Sequence, residues 1–213
     1  MGDRILDRSL VAFVTAALPG PPARLLEIGA GRGELAEHLT QAGYDVVAID
    51  PAGHVPHVQA VALDRLEAPN ASFDAALAVL SLHHVEPLRR SGERLAEMLP
   101  PGAPFVIDEF DIGAFGAAEA RWWLSQGPAH GDHAGEPEAI AGDMRAHLHE
   151  LTDVVTALEP WFEFGRVERL PYLYRWGLDA DVRTLEEQAI ARGQIAATGA
   201  RVVARRRDYI GRP

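Results

Sequence analysis

The feature that most constrains this chain is a short apolar stretch that runs directly into three closely spaced glycines. The run reads Leu26-Glu27-Ile28-Gly29-Ala30-Gly31-Arg32-Gly33. Glycine lets the backbone turn sharply after a buried strand and lets backbone amides approach a ligand with no Cβ between them. The spacing is G-x-G-x-G, whereas the pyrophosphate-binding fingerprint of dinucleotide enzymes is G-x-G-x-x-G. The run therefore predicts a strand, a ligand-binding turn and a helix.

The next predicted strand ends in a carboxylate. Residues Asp45–Ile49 form an apolar run that stops at Asp50, 17 positions after Gly33. Helical spacing of apolar residues over 34–42 separates this run from the glycines, so a helix joins the two strands. Such a crossover makes the strands parallel and brings their carboxyl ends to one edge of the sheet. Asp50 is therefore expected beside the glycine turn, where it can accept hydrogen bonds from both hydroxyls of a ribose.

Strands and helices alternate along the rest of the chain. Apolar runs predict strands over 24–28, 45–49, 58–62, 73–80, 104–108, 167–174 and 201–205. Helical spacing predicts helices over 5–18, 34–42, 87–99, 117–124, 140–158 and 179–192. The pattern is typical of an α/β fold with a mostly parallel seven-stranded sheet and helices on both faces. The link after the second strand leaves room for one helical turn at most.

Composition removes several classes of chemistry. The 213 residues include no cysteine, which excludes disulfides, zinc–thiolate sites and cysteine nucleophiles, and all 20 basic residues are arginine, which excludes a lysine Schiff base. The formal net charge of −11 repels polyanions, so no nucleic-acid partner is expected. No apolar run reaches the roughly 18 residues that cross a bilayer, and no signal peptide is recognised. We therefore expect no membrane partner and a cytoplasmic location.

Four stretches in one order resemble a single family. The glycine run with Asp50 resembles the first motif of class I S-adenosylmethionine-dependent methyltransferases, and residues 66–74, 80–85 and 99–103 resemble later segments of the same family. The matches extend from Arg24 to Glu109, about two-fifths of the chain. The resemblance implies a Rossmann-like fold of the small-molecule type with S-adenosylmethionine as cofactor.

The chain is expected to be one methyltransferase domain over residues 1–213. Residues 1–20 form an N-terminal helix, 21–110 the cofactor-binding half, 111–160 a helical insertion that serves as a lid, and 161–213 the C-terminal strands and helix. This division assigns the family's motifs to the second part alone. The substrate-binding parts carry no recognised motif.

The resemblance also implies which residues hold the cofactor. Those expected around its methionine part are Glu27, Gly29, Ala30, Gly31 and Gly33. Asp50 is expected to hold the ribose. The remaining members of the expected set are Pro51, Ala62, Leu63 and Leu80.

One position departs from the family's pattern. Ala62 stands where the family usually has the aspartate that caps the adenine. Adenine recognition is then expected to depend on backbone amides, or on Asp64 if the register shifts by two residues.

Three residues are candidates for catalysis. By the resemblance, His83 lies on the substrate side of the sulfonium, where an imidazole is a suitable general base for a hydroxyl or amine. The alternative is that a histidine here packs and hydrogen-bonds locally, which suits His84. Asp108 and Glu109 end the fifth predicted strand and are expected to orient a substrate or act as bases; alternatively, they cap the following helix or face water.

A histidine-rich segment invites a metal interpretation that the spacing does not favour. His130, Asp132 and His133 lie in a polar stretch, and His147 and His149 follow. Imidazole and carboxylate suit zinc or iron. No strict ligand pattern such as H-E-x-x-H is present, so no metal site is expected.

The expected activity is O- or N-methylation of a small molecule, whose identity the sequence leaves open. A catalytically silent cofactor-binding or partner module is the main alternative, favoured by Ala62 and by the short link after Asp50. A nicotinamide-dependent oxidoreductase is a weaker alternative, because the glycine spacing disfavours it. A monomer and a homodimer are both compatible with the sequence.

Overall fold

A mixed β-sheet organises the chain. The computed structural model describes residues 6–53, 55–127, 135–179 and 181–208. Within these ranges the strands are β1 (Arg24–Ile28), β2 (Asp45–Ile49), β3 (Val58–Gln59), β4 (Ala75–Val79), β5 (Pro104–Phe110), β6 (Phe162–Phe164), β7 (Glu168–Leu170) and β8 (Gly199–Arg206). The α-helices are α1 (Arg8–Ala17), α2 (Glu34–Gln41), α3 (Leu88–Met98), α4 (Ala117–Ser125), α5 (Pro137–His147), α6 (Leu151–Leu158) and α7 (Val182–Ala191).

The strand order is β3-β2-β1-β4-β5-β8, and β6 and β7 both pair with the far edge of β8. The first five strands are mutually parallel, whereas β8 runs antiparallel to β5. The predicted α/β fold with a mostly parallel sheet is confirmed. The prediction of seven strands is corrected to eight, because the strand beside β8 is interrupted. At the interruption the Gly165 amide donates to the Val203 carbonyl over 3.0 Å, before pairing resumes at Glu168.

Both faces of the sheet are covered by helices, as predicted. Leu10 and Val14 of α1 pack with Leu35 and Leu39 of α2 on one face. On the other face the apolar residues of α3 and α6 form a second cluster with the sheet. Strands buried on both faces read as continuous apolar runs, and all five residues of β4 are buried. This explains why the central strands were predictable from hydrophobicity alone.

Several predicted elements form with shorter bounds. The predicted third strand, 58–62, shrinks to Val58–Gln59, and no helix is present in the described residues between β2 and β3. The predicted strand 167–174 forms only over Glu168–Leu170. Its second half instead becomes a 3₁₀ turn, because the buried Glu186 carboxylate accepts hydrogen bonds from the backbone amides of Tyr172, Leu173 and Tyr174.

The single helix predicted over 140–158 is wrong, since the structure has two helices, α5 and α6, with a break at 148–150. Helical spacing of apolar residues continues across the break, but the backbone bonds elsewhere. The His149 amide donates to the His83 carbonyl over 3.0 Å. The Glu150 amide donates to the Asp153 carboxylate over 3.2 Å, which caps a new helix start. The break therefore brings the insertion against the segment that follows β4.

A buried ion network joins the N-terminus to the sheet. The Asp108 carboxylate lies 2.6 Å from Nη1 of Arg175 and 2.6 Å from Nε of Arg201. Arg175 also lies 3.3 Å from Asp7, which caps α1 by accepting from the Leu10 amide over 2.6 Å. Charges removed from water are tolerated only when they are paired in this way. The network therefore fixes α1 and the C-terminal part of the chain to the end of β5.

This network yields a stability prediction. Replacing Asp108→Asn leaves the buried Arg201 guanidinium without its anion and leaves Arg175 with Asp7 alone, so the free energy of unfolding should fall by about 3–5 kcal/mol. Urea unfolding followed by circular dichroism measures the change. The control is Asp45→Asn, because the Asp45–Arg24 pair is exposed and a surface pair contributes little. Equal effects from the two variants would contradict the role given to the network.

Candidate functional site

A large cavity opens at the carboxyl ends of β1, β2 and β4. Its volume is about 760 Å³, which is in the range of pockets that hold small organic ligands. Nine of the ten expected cofactor residues line it: Glu27, Gly29, Ala30, Gly31, Asp50, Pro51, Ala62, Leu63 and Leu80. The position agrees with the general rule that ligands of open α/β sheets bind beyond the carboxyl ends of the strands.

Glycine is required at the three positions of the motif for different structural reasons. All three have left-handed backbone, with φ of 69° at Gly29, 56° at Gly31 and 76° at Gly33. A Cβ at Gly29 would lie 2.2 Å from the Cβ of Ser81, so the close approach of two strand ends requires glycine there. A Cβ at Gly31 would meet no atom within 4 Å. Gly31 is therefore the glycine that leaves the cavity open.

Gly33 lies outside the cavity lining, unlike the other expected cofactor residues. A Cβ at this position would lie 2.4 Å from Nε2 of His57. Gly33 also precedes the first residue of α2. Glycine is therefore favoured here by the left-handed backbone at the start of the helix, with φ of 76°.

Asp50 is held in a fixed orientation at the cavity wall. Its Oδ2 accepts a hydrogen bond from the Gly31 amide over 2.9 Å, and its Oδ1 accepts from the Ala52 amide over 2.8 Å. Each carboxylate oxygen has two lone pairs, so each retains capacity for one more donor. Asp50 can therefore accept two hydroxyl hydrogens from a ligand without losing its own hydrogen bonds.

Glu27 is a buried carboxyl with an unsatisfied oxygen. Its residue is 3% exposed, and its Oε2 has no hydrogen-bond partner. The pKa of this carboxyl is raised to about 8: burial raises it most, the Ala36 amide lowers it, and the nearby Glu34 raises it. A buried carboxyl that lacks a partner is costly unless a ligand supplies one. Glu27 is thus suited to bind a cationic ligand group.

The adenine side of the expected site has no side-chain carboxylate in the cavity lining. Ala62 and Leu63 line it, whereas Asp64 does not. The Asp64 side chain lies 3.6 Å from Nε of Arg90, so it pairs with α3. Of the two alternatives for adenine recognition, the geometry therefore favours backbone groups around 62 and 63.

The three candidate catalytic residues do not line the cavity. Asp108 is held between two arginines, as described above. Glu109 is 1% exposed and accepts from the Leu82 amide over 2.7 Å and from the Phe110 amide over 2.8 Å. The oxygen that accepts from Phe110, Oε1, also lies 2.5 Å from Nδ1 of the buried His83. These three side chains thus make their hydrogen bonds to other protein groups and do not face the cavity.

Among the lining residues that the sequence reasoning did not select are two neighbours of His83. His84 and Glu86 both belong to the cavity lining. Residues Leu82–His84 form a 3₁₀ turn, in which successive side chains point about 120° apart. One of two adjacent histidines therefore faces the cavity and the other faces the core. The sequence pattern does not say which histidine faces the cavity, because it does not locate the end of the strand to a single residue.

The histidine-rich segment gives no metal site in the described residues. His130, Asp132 and His133 lie outside the described residues. His147 is exposed and lies 3.5 Å from Asp143, whereas Nε2 of His149 lies 2.7 Å from the Glu86 carboxylate. Among the described helices there is no segment long and apolar enough to cross a membrane.

Comparisons with known proteins agree with this geometry. A profile of the family described as methyltransferase domain matches residues 3–146, more than half of the chain. The ubiquinone biosynthesis O-methyltransferase of Rhodopseudomonas palustris is 27% identical over 180 residues, which cover 75% of this chain and 67% of the relative. The chain spans about half or less of the length of other curated methyltransferases that it matches.

Solved structures share the fold. An S-adenosylmethionine-dependent methyltransferase from Mesorhizobium loti superposes with a TM-score of 0.58 at 21% identity, covering 91% of this chain and 95% of that one. The 1,6-didemethyltoxoflavin-N1-methyltransferase of Burkholderia thailandensis, solved with S-adenosylhomocysteine, gives a TM-score of 0.56 at 21% identity. It matches 94% of this chain and 76% of its own.

The glycine geometry yields a stability prediction. Gly29→Ala and Gly31→Ala both incur the roughly 1–2 kcal/mol cost of left-handed backbone, but only Gly29→Ala also forces a Cβ against Ser81. Gly29→Ala should therefore lower the urea midpoint more than Gly31→Ala does. Adding Ser81→Gly to Gly29→Ala should recover part of the loss. Equal midpoints for the two single variants would disprove this division of roles.

The buried Glu27 yields a prediction of pH dependence. From pH 4.5 to about 8 the folded state keeps a proton that the unfolded state releases, so this group's contribution to stability falls as pH rises. The Glu27→Gln variant has no ionisable group at this position, so its stability lacks this fall with rising pH. The free energy of unfolding of Glu27→Gln minus that of the original chain should therefore increase from pH 5 to pH 8, measured by urea unfolding. The exposed Glu37→Gln is the control, and a flat difference for both variants would contradict a raised pKa.

Proposed function

Because the chain belongs to the methyltransferase domain family, we propose that it binds S-adenosylmethionine in the cavity and methylates a small-molecule acceptor. The observation that carries this proposal is that two carboxyl groups, those of Glu27 and Asp50, line the same cavity. Glu27 has a free buried oxygen, and Asp50 has spare acceptor capacity beside the open backbone of Gly31. A ligand with an ammonium group at one end and a ribose at the other matches both.

In this proposal, each part of the cofactor has residues that would hold it. Glu27 pairs with the ammonium group of the methionine part, and the turn of Gly29, Ala30 and Gly31 leaves room for that part. Asp50 accepts the ribose hydroxyls. Pro51, Ala62 and Leu63 line the adenine side, and Leu80 lines the side of the sulfonium. When bound, the cofactor supplies a methyl group already activated for transfer by a positive sulfur.

Gly33 and the three expected catalytic residues take positioning roles in this proposal. Glu109 accepts hydrogen bonds from the backbone amides of Ser81 and Leu82 and contacts His83, so it fixes the segment that follows β4. Asp108 anchors β5 to two arginines. These groups shape the wall of the site without touching the reacting atoms.

A small-molecule acceptor is supported by charge and by the relatives. The net charge of −11 disfavours a polyanionic acceptor. One relative is named for ubiquinone biosynthesis and O-methylation, and one structural neighbour for N1-methylation of 1,6-didemethyltoxoflavin. Oxygen and nitrogen acceptors are thus both named among proteins that resemble this chain. For either acceptor, the chain must hold the nucleophile in line with the methyl group and exclude water.

The direct test is isothermal titration with S-adenosylhomocysteine and S-adenosylmethionine. Asp50→Ala removes two hydrogen bonds to a charged acceptor, so the dissociation constant should rise about 10- to 100-fold or more. Asp45→Ala is the matched control, because Asp45 begins the same strand and is exposed. No binding by the original chain at millimolar ligand, or binding of a nicotinamide dinucleotide in preference, would overturn the proposal.

A further inference from the structure

A cluster of imidazole and carboxylate groups lies around His84 at the cavity. Three histidines belong to it, namely His83, His84 and His149. The ring centroids of His83 and His84 lie 4.3 Å apart. His83 is paired with Glu109 at 2.5 Å, and His149 is paired with Glu86 at 2.7 Å. In the part of the chain that the structure describes, no hydrogen bond or ion pair is seen for the His84 ring.

The three imidazoles differ in what they can do with a proton. His83 is 8% exposed and its Nδ1 is engaged by Glu109. His149 is held at the break between α5 and α6, where its amide also binds the His83 carbonyl. His84 alone combines an unengaged ring with a place in the cavity lining. It is therefore the imidazole that a bound acceptor can reach.

The surroundings of His84 keep its ring neutral. Partial desolvation lowers the pKa of His84, the nearby His83 and His149 lower it further, and Glu109 raises it. Glu86 faces the same cavity but is engaged by His149. A neutral imidazole near pH 7 has the lone pair that a general base requires.

We propose that His84 accepts the proton of a hydroxyl acceptor, and that His83–Glu109 and His149–Glu86 are positioning pairs that hold it in place. This proposal rests on the proposed function. The acceptor's proton moves to a ring nitrogen of His84, whose lone pair forms the new N–H bond. The O–H electron pair stays on oxygen and forms the bond to the methyl carbon, while the C–S pair remains on sulfur.

This assignment selects a class of acceptor. A hydroxyl has to lose its proton for methylation to give a neutral ether, whereas a tertiary amine has no proton to lose. The base is therefore useful for phenols, enols and alcohols. The carboxylate of Glu86 beside it disfavours an anionic group on the acceptor at this position. The inferred substrate is an uncharged hydroxylated small molecule.

Transfer of a labelled methyl group to phenols, catechols and matched tertiary amines tests the acceptor class and the base. Hydroxyl acceptors should be methylated, and His84→Gln should lower kcat about 10²- to 10⁴-fold while leaving the dissociation constant of S-adenosylhomocysteine within about twofold. His147→Gln, an exposed histidine close by, should leave kcat unchanged. Three results would each overturn the proposal. The chain could methylate amines alone, it could bind the cofactor yet methylate no hydroxyl acceptor, or His84→Gln could leave kcat unchanged.

Histidine titration by NMR tests the positioning role without turnover. The His84 signal, identified by its loss in His84→Gln, should titrate below the ordinary histidine range and move upward in His149→Gln. A purely structural role for His149 predicts no such movement. The pH profile of kcat should shift in the same direction. Absence of S-adenosylhomocysteine binding by the original chain would instead count against the proposed function, which separates the two failures.

Discussion

The contact between Gly29 and Ser81 is the constraint on which the rest of the site depends. The ends of β1 and β4 approach so closely that a single methyl group at position 29 would lie 2.2 Å from the Ser81 Cβ. The Ser81 hydroxyl donates to the Ile28 carbonyl over 2.8 Å and joins the two strand ends. The open space extends from this closed junction to Asp50, since Ser81 and Asp50 both line the cavity. The cavity is thus a consequence of how two neighbouring strands end.

Among the residues that the structure describes, most buried carboxyl groups have protein partners for both oxygens or for one, whereas Glu27 has an oxygen with no hydrogen-bond partner. Glu109, Asp108 and Glu186 each bind backbone amides or arginines and stabilise a local turn or a long-range junction. Glu27 is buried to a similar degree, yet one of its oxygens has no partner. An unpaired buried group costs folding stability, and in the proposed function a ligand supplies the missing partner. The proposal thus separates the carboxyls that bind within the protein from Glu27, which binds the ligand.

Hydrophobicity and local motifs predicted most of the sheet and nine of the residues that line the cavity, because both depend on neighbours close in sequence. The glycine turn and Asp50 are joined by one helix, so parallel pairing alone brings them together. The catalytic side could not be predicted in this way. Asp108 meets Arg175 and Arg201 across long sequence separations, and nothing local identifies those partners. The choice between His83 and His84 depends on the direction in which a 3₁₀ turn places each ring.

The break between α5 and α6 shows the same limit, since the apolar spacing is continuous but the His149 amide bonds to a distant carbonyl.

The most direct measurement of the central claim is a crystal structure with S-adenosylhomocysteine. The account predicts that the ribose hydroxyls lie within hydrogen-bond distance of the Asp50 carboxylate and that the ammonium group lies against Glu27 Oε2. A nucleoside bound elsewhere, or bound in this cavity with both carboxyls uncontacted, would contradict the account.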